Sequence, residues 1–182
     1  MSIFFFVTFV NVAMSDRDAL LLRSLKQFFS DPLHGAMLKR TLDSNRDAHI
    51  SLRLIDWICT TYSKQHRLLF VRTNGSVVDI HSSYKSHLRS FGKGRFDIFR
   101  RGKKIDIDVN GTSIQTTLAQ LNFIRWLINH DVLTYLEENK DKMVEMQKES
   151  QQPEGEDTSD KPKAKKKKGY HMSQISARVV FD

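Results

Sequence analysis

The side chains of this sequence that are able to do chemistry are dispersed, and each has a plainer explanation. Asp106 and Asp108 alternate in the stretch from Lys104 to Val109 and so share one face of a strand. Paired carboxylates hold a metal ion or divide acid and base roles. The same pair would equally serve as the solvent face of a strand, balanced by Lys103 and Lys104. An enzyme acting on nucleic acid would need Asp56, Asp97, Asp106 or Asp108 to converge around a metal ion. The single cysteine, Cys59, has no His and Asn pattern beside it and reads as a small buried apolar residue. Seven histidines stand at positions 34, 49, 66, 81, 87, 130 and 171, none at a metal-ligand spacing from a carboxylate or thiol. Among them, His81 and His87 read as polar surface residues. Gly92-Lys93-Gly94 has neither the glycine spacing nor the Lys-Ser/Thr of a phosphate loop, and no G-x-S-x-G, H-E-x-x-H or G-x-G-x-x-G is present. No catalytic residue, metal, cofactor or small-molecule substrate is therefore expected.

The densest chemical signal is charge. Between Lys85 and Lys104 lie eight basic residues, Lys85, Arg89, Lys93, Arg95, Arg100, Arg101, Lys103 and Lys104, against Asp97 alone, a local net charge of +7. Lysine and arginine neutralise phosphates and release their counterions. Phe91, Phe96 and Phe99 are interleaved with them. Exposed, they would stack on unpaired bases; the expectation is that they are core, with the cations around them at the surface. A second run, Lys165, Lys166, Lys167 and Lys168, follows Lys161 and Lys163 and fits a nuclear-targeting or polyanion-binding tail.

The elements that must position this charge can be read from periodicity. Leu21, Leu22, Leu25, Phe28 and Phe29 give one helical face between Asp16 and Ser30, and Ser15 with Asp18 has the spacing of a capping box. Asp31-Pro32 ends that helix, and a shorter one follows over Leu33–Leu42. Leu54, Ile55, Ile58, Cys59 and Tyr62 mark a helix over Ile50–Gln65. Asn74-Gly75 and Asn110-Gly111 are hairpin turns between apolar runs; the glycosylation sequons they begin are better explained as turns. A helix is predicted from Ser82 to near Gly92. In the second hairpin Ile105, Ile107 and Val109 point inward. Thr117 and Gln120 cap a helical stretch that His130-Asp131 divides, and its charged end, to about Glu149, is expected to project into solvent. Helices interrupted by two small antiparallel hairpins make an α+β fold rather than a βαβ repeat.

Composition bounds the rest. The chain has 182 residues, of which 40% are hydrophobic, enough for a core in one domain of ordinary size. One cysteine excludes a disulfide framework and a cysteine-rich zinc site. The excess of 29 Lys and Arg over 21 Asp and Glu gives a net charge of +8, most of it in the body and not the tail. Residues 1–14 form an apolar extension too short to span a bilayer and without the basic start of a signal peptide. The expected organisation is that extension, a globular domain over 15–149, a disordered acidic and lysine-rich linker over 150–174, and an apolar segment over 175–182.

Three stretches also resemble a family of small uncharacterised proteins of large nucleo-cytoplasmic DNA viruses of algae and protists. The resemblance is carried by Asp56, Trp57, Tyr62, Ser63 and Lys64, then by Tyr84, Lys85, Ser86, Leu88, Lys93, Phe96, Asp97 and Phe99. It continues through Thr116, Thr117, Gln120, Leu121, Asn122, Phe123, Trp126, Val132, Leu133 and Tyr135. It covers roughly residues 50–142. Where the family carries Pro and Cys, this sequence has Ile98 and Arg100. The resemblance implies a viral protein, intracellular in the host nucleus or cytoplasm or packaged in the virion, and supplies no activity. With the charge pattern, the expectation is a non-enzymatic protein that contacts the phosphates of DNA or RNA through a basic surface. The alternative is a virion structural or assembly protein whose basic patch meets an acidic viral protein and whose apolar ends, Ile3–Val10 and Ile175–Phe181, bind protein partners.

Overall fold

The computed structural model describes residues 14–43, 50–71, 75–99 and 101–151. The expectations for the N-terminal extension, for most of the polar turn after Leu42, for Asn74, for Arg100, for the lysine run Lys165–Lys168 and for the C-terminal segment lie outside the described residues.

Local capping sets most helix starts. Helix α1, Asp16–Phe29, opens at Ser15, whose hydroxyl accepts from the Asp18 amide at 3.2 Å and donates to the Asp18 carboxylate at 2.8 Å. Helix α2, Pro32–Leu42, opens at Asp31, whose carboxylate accepts from the Leu33 and His34 amides, with Pro32 supplying a φ already suited to the first turn. Helix α3, Leu52–Trp57, runs without a break into a π-helical turn, Ile58–Tyr62, and then into α4, Ser63–His66. In the wider turn the Thr60 hydroxyl donates to the Asp56 carbonyl and the Ser63 hydroxyl to that of Cys59. Such back-bonds occupy carbonyls along the distorted ladder.

Strands β1, Leu69–Val71, and β2, Val77–Asp79, pair antiparallel with Phe70 opposite Val78. Helix α5 spans Ile80–Phe91, two residues earlier than predicted, because Asp79 ends β2 and also caps the helix by accepting from the Ser82 amide. Strands β3, Lys104–Val109, and β4, Thr112–Thr117, pair with Ile107 opposite Ile114. Asn110 and Gly111 between them both have positive φ, 53° and 74°, as the tight hairpin turn requires. Helix α6, Leu118–Asn129, follows directly, and the left-handed backbone of Asp131 separates it from α7, Val132–Glu138. Helix α8 is Lys140–Gln151.

The fold is α+β, with helices around two separate two-stranded antiparallel sheets. Its centre is α6, where Leu121, Phe123, Ile124, Trp126 and Leu127 are all buried together with the polar Gln120 and Asn122, so the helix is covered nearly all round. Helices α1, α2 and α7 and strand β4 pack on it. The expectation that the charged end of the helical stretch projects into solvent is corrected for α8. Its Met143 is completely buried, and the Gln147 side chain donates to the Arg53 carbonyl, so α8 lies against α3. Met143, Val144 and Met146 are the helix's apolar residues, all within one turn, and so short a cluster in a charged helix is too weak a periodic signal to predict that docking. Among the described residues no helix is long and apolar enough to cross a membrane.

Candidate nucleic-acid interface

Helix α5 has two faces. Tyr84, Leu88 and Phe91 pack toward the core, while Lys85 and Arg89 stand one turn apart on the exposed side. Lys93 continues their spacing just beyond Gly92, where the chain leaves the helix with a φ of 68° and the Gly92 amide still bonds the Leu88 carbonyl. The loop from Gly92 to Lys103 then returns to β3, where Lys103 and Lys104 are exposed.

Buried amides fix this loop in place. The Gln120 side chain donates to the Ile98 carbonyl at 2.8 Å and its oxygen accepts from the Thr116 hydroxyl at 2.9 Å. The Asn122 amide donates to the Arg95 carbonyl at 2.9 Å, and its oxygen accepts from Arg125. The Asp97 amide reaches the Ala119 carbonyl. Phe96 and Ile98 point into the core between these ties. Phe96 is thus the buried residue expected, while Phe91 and Phe99 are only half-buried.

Two of the predicted phosphate-contacting cations already have acidic partners. Arg95 pairs through Nε with Asp18, and that hydrogen bond, with the Ser15 hydroxyl second, holds the Asp18 carboxyl below its ordinary pKa. Arg101 donates from Nε and Nη2 to both oxygens of Asp97, at 2.8 and 3.2 Å, and its guanidinium lies 5.0 Å from the centre of the Phe99 ring. Asp97 is already subtracted in the count of +7, so it is Asp18 that lowers the local positive charge further.

The loop borders two hollows. The larger, about 690 Å³, is a groove lined by Arg95, Arg101 and Lys103, by Asp18, and by the apolar side chains of Phe91, Ile105 and Leu118. The smaller, about 220 Å³, is lined by Asp56, Tyr84, Lys93, Asp97 and Arg101 with aromatic side chains beneath. Burial, and then the neighbouring Asp97 carboxylate, raise the pKa of Asp56. Burial, followed by the charge of Asp56, raises that of Tyr84. Asp106 and Asp108 do not join this hollow. They lie on the exposed face of β3 opposite Gln115 and Ser113. Among the described residues no three His, Cys, Asp or Glu side chains are grouped to hold a metal ion.

Sequence reasoning missed one polar relay. His87 is half-buried among Phe91, Phe96, Trp126 and His130, and the Nδ1 of His81 is buried, so neither is the surface residue expected. The Trp126 indole N–H donates to the Ser83 hydroxyl at 3.0 Å. That hydroxyl meets Nε2 of His130 at 3.0 Å, and Nδ1 of His130 faces the Trp126 carbonyl at 2.9 Å. A carbonyl only accepts, so Nδ1 carries the proton, and a neutral His130 accepts from Ser83. The Ser83 hydroxyl is thereby committed in both directions, and the relay bolts α5 to α6.

Comparison with known proteins adds context to this geometry. No solved structure matches the chain. It is 28% identical over 136 residues to "Uncharacterized protein L507" of Acanthamoeba polyphaga mimivirus, a giant DNA virus, a match that covers 70% of this chain. The chain spans about half, 52%, of the length of that curated relative. The viral origin of this relative agrees with the resemblance read from the three motif stretches. Residues 8–178 match the model of DUF7197, a family of unknown function, and the chain belongs to that family.

Proposed function

We propose that the chain is a non-enzymatic viral protein that binds nucleic acid by contacting phosphates through its basic surface. The observation that carries this reading is the exposure of Lys85, Arg89 and Lys93 along α5 and just beyond it, together with that of Lys103 and Lys104 where the anchored loop enters β3. Cations held on a helix and on a tied loop meet a polyanion with little ordering cost, and each phosphate they neutralise releases counterions. The Lys165–Lys168 run would add salt-sensitive affinity without sequence preference.

The test is fluorescence anisotropy of labelled DNA and RNA with the full chain and with Lys165–Lys168 replaced by glutamine. Raising salt should weaken binding steeply, and reversing Lys85, Arg89, Lys103 and Lys104 to glutamate should reduce the salt slope by about one for each phosphate that is no longer neutralised. Binding that ignores both salt and charge reversal would sink the reading.

A second reading is favoured by a different observation. Val71 and Val77 face each other across the first hairpin and are 53% and 60% exposed. An apolar pair presented this way suits a protein contact, as in a virion assembly protein whose basic patch meets an acidic partner. Stoichiometric recovery in purified particles, with no nucleic-acid affinity, would favour it.

A further inference from the structure

We propose that the groove bounded by Gly92–Arg95 and Arg101–Lys103 seats a single nucleic-acid strand, so that the protein prefers unpaired strands to duplex. This goes deeper into the nucleic-acid reading above and depends on it. A duplex presents phosphates and hides the faces of its bases, whereas a single strand presents phosphates and bare aromatic faces together. The groove offers a match for both. Its lining includes the cations Arg95, Arg101 and Lys103, against one carboxylate, Asp18, that is paired with Arg95, and the apolar side chains of Phe91, Ile105 and Leu118. A duplex would engage the cations and leave the apolar walls uncovered.

Size and openness agree. The volume of about 690 Å³ falls within the roughly 300–1,000 Å³ typical of sites that enclose small organic groups. Glycines at 92, 94 and 102 border it, and among the described residues a Cβ placed on any of them would meet nothing within 4 Å. Arg95 is held in advance, spending Nε on Asp18, which also lines the groove. A guanidinium has five N–H donors, so Arg95 retains others for a phosphate oxygen while its carboxylate partner fixes its direction. Arg101 borders both hollows and is turned to Asp97 in the smaller one. Phe91 is half-buried at the groove, and the rings of His87 and Phe96 lie nearly parallel to it, with centroids 6.3 and 6.4 Å away, which makes it a rigid surface for a base.

Gly94 allows a clean test, because it is the one bordering glycine of these three without a positive φ and so accepts a side chain without backbone strain. The full chain is titrated with labelled single-stranded DNA, single-stranded RNA and a duplex of equal length at one fixed salt concentration. The variants are Gly94→Glu, which puts bulk and negative charge into the groove, Lys103→Glu among its cations, and Lys85→Glu with Arg89→Glu on the outer face of α5. The expected result is that the parent binds single strands about fivefold more tightly than duplex. Gly94→Glu should weaken single-strand binding about fivefold more than duplex binding, whereas Lys103→Glu, at a cation that both forms engage, and the outer-face pair should weaken both alike. Matching thermal melts establish that Gly94→Glu is folded, and the parent's own preference for single strands carries the test if they differ. Equal affinity of the parent for the two forms, or a folded Gly94→Glu that affects both equally, would overturn the groove while leaving phosphate binding intact. Binding of neither form would remove the underlying reading as well.

Discussion

Arg95 and Asp18 stand 77 residues apart in sequence and join as an ion pair, so the loop that carries the basic segment is moored to the first turn of α1. Both side chains are partly screened by solvent, which keeps the pair modest. Asp18→Asn should cost about 1 kcal/mol, or roughly 2–4 °C in melting temperature. Because the folded-state pKa of Asp18 is depressed, its contribution is present above the ordinary aspartate value and is lost as pH falls through the folded value. Thermal melts of parent and variant should therefore differ at neutral pH and converge in acid. A difference that persists unchanged in acid would show that the charge of Asp18 is not what stabilises.

Asp56 should behave in the opposite sense. Its folded-state pKa is raised, first by burial and then by Asp97, so the folded state holds the proton more tightly than the unfolded chain. That advantage is complete below the unfolded value and disappears as pH rises through the folded one. Asp56→Asn should leave stability unchanged in acid and raise the melting temperature by about 1–3 °C at neutral pH. A fall in melting temperature at neutral pH would mean that the carboxylate has a stabilising partner.

Gln120 is the most consequential polar residue of the loop anchor. It is fully buried and satisfies the Ile98 carbonyl while accepting from Thr116. Gln120→Leu keeps the volume but strands both partners, and should cost about 2–3 kcal/mol. Amide exchange over residues 95–99 should accelerate more than exchange in α8. Uniform acceleration throughout the protein would instead mark global destabilisation.

Gly35 is set by packing. A Cβ there would come within 2.7 Å of Cγ1 of Val109 and 3.1 Å of the Phe29 carbonyl, so α2 crosses β3 at a residue without a side chain. Alanine would gain about 1 kcal/mol in helix propensity. The clash with a β-branched side chain and a backbone oxygen, about 1–3 kcal/mol, should outweigh it. Chemical denaturation should show Gly35→Ala to be less stable than the parent, and a more stable variant would show that α2 can shift without loss.

What the sequence revealed depended on how far apart the interacting groups lie. The caps at Ser15 and Thr117, the Asn110-Gly111 turn and the break at His130-Asp131 are all local, decided by side-chain reach within a few residues or by one backbone angle. The density of basic residues between Lys85 and Lys104 was visible from composition alone. The ties that shape the candidate site join distant segments, as with Arg95 to Asp18, Gln120 to Ile98 and Trp126 to Ser83, and no periodicity encodes them. The π turn at Ile58–Tyr62 also escaped, because it leaves the buried positions Leu54, Ile55, Ile58 and Cys59 at their ordinary helical spacing.

The burial of Cys59 at that turn makes the protein its own clock. The 182-residue chain has one thiol, which is completely inaccessible and whose pKa is pushed far upward by desolvation. An alkylating reagent needs both access and the thiolate. Labelling of the unaltered protein therefore counts the moments when the helical run around Cys59 opens to water, and it does so without any introduced probe.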